Sequence, residues 1–203
     1  VEKHIKISLS DPHGAIPREA PLIFWTDPIR LSWSDEEKEA LSQSDETKYL
    51  IEEFPAGVHG RPVGAGDKVL MYWPYDCELH KDPVFPLDWD PYLPDITLRG
   101  MARLVPDLER YFEPMPKPFV DGGYYTKTEE NRPLIGPLHV SGAYVCAAFS
   151  GFGIMASCAS GELLAKHITG DALPLYANAF NPARYSDPNY CKLLETWNSS
   201  GQL

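Results

Sequence analysis

An α+β fold, mostly antiparallel sheet, with a piece of a different α/β layer at its C-terminal end, is what this sequence predicts from three observations. His4 to Leu9 alternates polar and apolar residues, and Val58 to Trp73 reads as a hairpin, so the first part is built on antiparallel strands. Prolines cluster between Pro74 and Pro137, which favours loops and edge strands over long helices in the middle of the chain. Ala143 to Gly170 then changes character: an apolar run of strand length, Ala143 to Phe149, turns through Ser150-Gly151-Phe152-Gly153 into a helix from Ile154 to Thr169 that Gly170 stops.

Taken in order, His4 to Leu9 is a strand and Asp11-Pro12-His13-Gly14 a turn. Pro21 to Thr26 is a second strand. Ser34 with Asp35, Glu36 and Glu37 forms a capping box with acidic residues in the first turn, opening a helix expected to reach about Phe54. Val58 to Pro62 and Lys68 to Trp73 are strands joined by Val63-Gly64-Ala65-Gly66-Asp67. Strand alternation puts His59 and Arg61 on one face, and Leu70 and Tyr72 opposite Val69 and Met71. Helices follow at about Asp95 to Leu104 and from Pro106 to near Phe112. Tyr124 to Lys127 and Leu134 to Ile135 are strands flanking the polar turn Glu129-Glu130-Asn131-Arg132. Beyond Gly170 the sequence predicts loops and one short helix, Tyr190 to Trp197.

Composition excludes several functions. A formal net charge of −11 over 203 residues speaks against nucleic acid, whose phosphates need clustered Lys and Arg. No apolar run reaches membrane-span length, and residues 1–20 lack the apolar core of a secretory signal, so no membrane is expected. Cys77, Cys146, Cys158 and Cys191 show no CxxC pair, and the six histidines show no ligand spacing, so no metal site is expected. Cys146 and Cys158 are expected as buried reduced thiols, which points to an intracellular, cytoplasmic protein. In the elbow, glycines allow positive φ, and the turn gathers backbone N–H groups and the positive end of the helix dipole, a place for an electron-rich ligand edge. A serine hydrolase is disfavoured, because Phe149-Ser150-Gly151 lacks the flanking glycines of a nucleophile elbow.

Three motifs together, Gly122-Gly123-Tyr124-Tyr125-Thr126-Lys127-Thr128, Asn131-Arg132-Pro133-Leu134-Ile135-Gly136-Pro137 and Ser150-Gly151-Phe152-Gly153-Ile154-Met155, resemble the C-terminal half of the D-amino-acid oxidase-like FAD oxidoreductases, the group of glycine oxidase, sarcosine oxidase and dimethylglycine dehydrogenase. The resemblance implies an antiparallel-sheet substrate domain over residues 1–133, the C-terminal strand and helix of an FAD-binding domain over 134–185, and a tail over 186–203. It also implies oxidation of an amine or amino-acid C–N bond, with FAD held by Arg132, Pro133 and the run Ser150, Gly151, Phe152, Gly153, Ile154 and Met155. The family's N-terminal GxGxxG turn, which carries the pyrophosphate on a helix N-terminus, has no counterpart in this sequence. The expected partner is therefore another chain bearing that unit, in a two-chain flavoenzyme; the alternative is a non-catalytic assembly subunit that retains the fold.

Departures from the family pattern sharpen the site. Phe152 stands where relatives have a histidine, Met155 where they have a carboxylate-gripping lysine, and Gly123 where they have the flavin-linking cysteine, so the FAD is expected to be non-covalent. The oxygen-activating lysine aligns with Leu70, beside Lys68, which leaves oxidase and dehydrogenase both open. For substrate contact the candidates are His59, Arg61, Tyr72 and Tyr124, with Arg132 behind them. His59 suits a base or donor near neutral pH, and Arg61 suits a carboxylate. Tyr124 and Tyr125 face opposite ways on a strand, so at most one of them sees the flavin.

Overall fold

The computed structural model describes residues 1–77 and 79–196. Its backbone divides into two compact units: Lys3–Glu78 with Val84–Gly123, and Val1–Glu2 and Leu79–Pro83 with Tyr124 onward. The division falls between Gly123 and Tyr124, whereas the sequence reading places a domain boundary after Pro133.

The first unit is built on a five-stranded sheet. Its strands are β1 (Glu2–Ser10), β2 (Ile23–Phe24), β5 (His59–Pro62), β6 (Lys68–Tyr72) and β7 (Phe119–Tyr125), in the order β2-β5-β6-β1-β7. A separate ribbon pairs β3 (Ile29–Arg30) with β4 (Glu53–Phe54). Alternation along β1 buries Ile5, Ile7 and Leu9, and the antiparallel register sets Ile7 beside Met71 and Leu9 beside Val69. That face packs on α2 (Leu93–Ala102), whose Ile96, Leu98 and Met101 are fully buried. Gly100 is required there, because a Cβ would lie 2.3 Å from the ring of Trp73.

Helix α1 (Asp35–Ser42) starts with the capping box expected at Ser34 but ends well short of Phe54. The short polar residues after it favour turns over helix: the Ser44 hydroxyl accepts from the Glu46 N–H, and the Thr47 hydroxyl donates to the Leu41 carbonyl. The chain is thereby released to put Phe54 into the core opposite Ile29. Arg99 is buried between the rings of Trp33 and Phe112, 3.7 and 4.5 Å from their centroids, with Asp95 and Glu37 as its carboxylate partners.

In the second unit β8 (Leu134–Pro137) pairs antiparallel with β9 (Tyr144–Ala147), and α3 (Gly153–Thr169) packs across both. Gly170 ends α3 in the left-handed conformation, φ 75°, as its position in the sequence predicts. The tail is more ordered than expected: short 3-10 turns at Leu175–Ala179 and Pro182–Ser186 precede α4 (Pro188–Leu194), which Asp187 caps. The sequence places that last helix at Tyr190 to Trp197, and Trp197 lies outside the described residues. Among the described residues no helix is long and apolar enough to cross a membrane.

Two expectations fail in this unit. The strand read as buried exposes Tyr144 and Cys146, and Cys158 on α3 is exposed as well. A two-stranded sheet covered on one face by one helix leaves its other face uncovered, although the apolar run has the composition of a strand buried on both faces.

Candidate functional site

The strand-to-helix elbow exists, but its geometry rests on different residues from those expected. Positive φ occurs at Ala148 (62°) and Ser150 (50°), not at the elbow glycines. The turn is secured from outside: the Ser150 N–H donates to the Thr126 carbonyl at 3.0 Å, and Lys127 bridges to Phe149. Gly151 is needed for space, since a Cβ there would meet the Tyr125 ring at 2.8 Å. Tyr125 is thus the tyrosine that supports the elbow, while Tyr124 lies edge-on to His80 with centroids 5.8 Å apart.

No side chain caps the N-terminus of α3, and no acidic residue occupies its first turn. Ile154 and Met155 are 94% and 75% exposed. The backbone N–H groups of Gly153 to Met155, which a helix cannot satisfy internally, thus meet neither a capping side chain nor an acidic residue of the first turn. Phe152 instead turns inward. It packs edge-on to Phe149 and lines an apolar cavity of about 370 Å³ with Ile135, Ala156, Ser160, Leu163 and Phe180.

A buried polar cluster, unforeseen in the sequence, holds the segment that leads into β8. Arg184 donates to Glu130 at 2.7 and 3.0 Å, and the Tyr185 and Tyr190 hydroxyls each donate to the same carboxylate at 2.9 Å. Further Arg184 bonds reach the carbonyls of Arg132, Pro133 and Phe180. Burial pushes the Glu130 carboxyl up, but the bonds from Arg184 and the tyrosines outweigh it and hold the group below the usual range. Pro133 is buried beside this cluster, and Arg132 is tied through its backbone to the Thr128 hydroxyl at 2.8 and 2.9 Å.

In the sheet unit, the face opposite the core carries three of the substrate candidates, His59, Arg61 and Tyr72. Register sets His59 directly across from Tyr72 and Arg61 across from Leu70. His59 stacks on Phe24 at 5.0 Å and meets Tyr72 edge-on at 4.9 Å. Its Nδ1 lies 2.8 Å from the Gly57 carbonyl, which only accepts, so Nδ1 carries the hydrogen and Nε2 keeps the lone pair. Burial, more than this bond opposes it, lowers the imidazole from its ordinary range and keeps it neutral near pH 7. Arg61 is exposed and donates to the Pro62 carbonyl at 3.2 Å. Tyr72 is hydrogen-bonded to His4 Nδ1, and Cys77 stands beside both, 3.8 Å from the tyrosine oxygen and 3.6 Å from the imidazole nitrogen.

Sequence reasoning therefore places His59 and Tyr72 together, and it gathers Ser150 to Met155 into one turn. It misses His4, Phe24, Cys77, Tyr125 and the Glu130–Arg184 pair. Alternation of His4 with the buried Ile5 was the only local signal that could have put His4 on the Tyr72 face.

No family model matches this sequence, and no curated protein matches it. Among solved structures the chain is similar to an L-proline dehydrogenase from P. horikoshii, with a TM-score of 0.57 and 19% sequence identity, over 91% of this chain and 40% of that one. At that identity the likeness is one of fold, and this chain spans about 40% of the length of that dehydrogenase. The α+β architecture with its antiparallel sheet is thus shared with part of a protein named for amino-acid dehydrogenation.

Proposed function

We propose that this is the C-terminal chain of a two-chain FAD-dependent oxidoreductase that oxidises the carbon–nitrogen bond of an amine or amino acid. The observation that carries the reading is the elbow at the start of α3, with uncapped amides, no acidic side chain in the first turn and an exposed apolar rim. The fold likeness to an L-proline dehydrogenase supports it.

The residues fit a flavin. Amides from Gly153 to Met155 and the dipole behind them suit an electron-rich ring edge, Gly151 leaves no side chain in the way, and Ile154 and Met155 offer apolar contact. Arg132 and Pro133 would line the same cofactor. Gly123 offers no thiol for a covalent link, which supports non-covalent FAD. When bound, FAD accepts the hydride equivalent as the substrate C–N bond becomes C=N.

The chain's own residues bind and position the substrate. His59 Nε2, neutral and unprotonated, can take a proton from a substrate ammonium, and Arg61 can pair with a carboxylate through its planar fork. Tyr72 supplies a hydroxyl held by His4. Tyr124 is the remaining candidate for substrate contact. The GxGxxG unit absent from this sequence is supplied by the partner chain.

A second reading, a non-catalytic assembly subunit, draws on Phe152 turned into a cavity and Met155 in place of a lysine. Native gel filtration followed by denaturing electrophoresis separates the possibilities. A yellow assembly of two polypeptides is the expected result, a colourless assembly favours the second reading, and a colourless monomer of this chain overturns both.

A further inference from the structure

We infer that Cys77 is an activated thiol and the chain's preferred site of attack by hydroperoxides, with His4 as its base and Tyr72 as the link between them. The inference is independent of the flavin reading. Three groups capable of proton exchange converge: Cys77 Sγ lies 3.6 Å from His4 Nδ1 and 3.8 Å from the Tyr72 hydroxyl oxygen, and that hydroxyl is itself bonded to His4 Nδ1. The thiol and the hydroxyl each carry one hydrogen, and in the tautomer protonated at Nε2 the Nδ1 of His4 offers both of them a lone pair. A proton leaving sulfur, directly or through the Tyr72 hydroxyl, therefore comes to rest on His4. The product is a thiolate against an imidazolium, the arrangement that makes cysteines reactive.

The other thiols lack this setting. Cys146 and Cys158 are exposed but have no hydrogen bond to an imidazole among the described residues, and Cys191 donates to the Tyr185 carbonyl at 3.3 Å. Cys77 is half-buried, so exposure alone would rank it last. The site thus inverts the order that accessibility predicts.

With hydrogen peroxide the step balances within the cluster. The thiolate sulfur attacks one peroxide oxygen, the S–O bond forms as the O–O bond breaks, sulfur is oxidised by two electrons to sulfenic acid, and the departing hydroxide takes the proton held on His4 and leaves as water. The new hydroxyl then sits against Tyr72, on the face that carries His59, which makes the oxidation state of Cys77 a control on that face.

The test uses the full 203-residue chain, dilute hydrogen peroxide and a sulfenic-acid-trapping dione, with the labelling rate of each cysteine read by peptide mass spectrometry. Cys77 is expected to label about tenfold faster than Cys146 or Cys158 despite its lower exposure, and His4→Gln should bring its rate down to theirs. Tyr72→Phe, which keeps the ring, should lower the rate less, since direct transfer from thiol to imidazole remains. Rates at Cys146 and Cys158, together with near-ultraviolet circular dichroism, report whether each variant keeps its fold. Cys77 labelling slowest of the four in the unsubstituted chain, or at an unchanged rate in a folded His4→Gln variant, overturns the inference.

Discussion

The two units solve the problem of holding a fold together in opposite ways. The sheet unit buries a continuous apolar cluster that runs from Ile5 through Val58, Val69, Trp73 and Met101 to Tyr111, with partly buried aromatics packed round it. Among the described residues the C-terminal unit has a far smaller core cluster, Ile135, Leu163 and Ala177, helped by Phe149, Leu164 and Phe180, and it leaves Ile154, Met155, Ile168 and Leu175 exposed. Its central device is polar instead, the Glu130–Arg184 pair with two tyrosines. Apolar surface left open on a unit so poor in core is consistent with the proposed cofactor and partner contacts.

Glu130→Ala strands the buried Arg184 charge and should destabilise the C-terminal unit by about 3–5 kcal/mol. Hydrogen exchange resolved by segment is expected to show α3 and β8 losing protection while β1 and β6 keep theirs; equal loss in both units would show that they do not differ as described. The matching lesion in the sheet unit is Gly100→Ala. Its methyl would lie 2.3 Å from the Trp73 ring, well inside van der Waals contact, and overpacking there should cost about 1–3 kcal/mol, read by denaturant unfolding followed through tryptophan fluorescence.

Acid sharpens the same contrast. Glu130 has a folded pKa held below its ordinary 4.5, so its contribution is complete above that value and lost as pH falls through the folded value. His59 is shifted downward too, but as a base: the unfolded chain binds more protons, and sheet-unit stability starts to fall once pH drops below about 6.5. Segment-resolved exchange should therefore show the sheet unit weakening first on acidification. Glu130→Gln should remove the more acidic step in the C-terminal unit, and a step that persists in this variant would assign it to another group.

Legibility in the sequence followed the range of the interactions. Strands with period two, the Ser34 capping box, the elbow and the Gly170 stop are local, and each stands within a few residues of where the sequence puts it. The helix expected to run on to Phe54 failed because a tertiary pairing, β3 with β4, claimed its end. The elbow glycines were recognised for the wrong reason. Ala148 and Ser150 take the strained conformation, and Gly151 is demanded by the Tyr125 ring, a neighbour no spacing rule points to. Contacts across 54 residues at Glu130–Arg184 and 73 residues at His4–Cys77 leave no periodic trace at all. His59 and Tyr72 were legible together because a hairpin converts sequence separation into register.

The smallest expected effect is on stability and the most telling is on function. Ile154→Lys and Met155→Glu replace exposed side chains, so each should change the stability of the isolated chain by no more than about 0.5 kcal/mol in chemical denaturation. A clearly larger loss would mean that this rim is packed rather than open. If the elbow holds a flavin, the same substitutions should weaken flavin retention in the native assembly, Met155→Glu most, by setting a carboxylate at a helix end meant for an electron-rich ring.

The most direct test of the central claim is the visible absorbance spectrum of the native assembly containing this chain, recorded anaerobically before and after adding sarcosine or L-proline as probe substrates. Oxidised-flavin absorbance is expected, bleaching with at least one secondary amine or amino acid and lost when Gly151→Ala drives a methyl into the Tyr125 ring. An assembly without flavin absorbance, or flavin that survives Gly151→Ala and Met155→Glu unchanged, would contradict the claim.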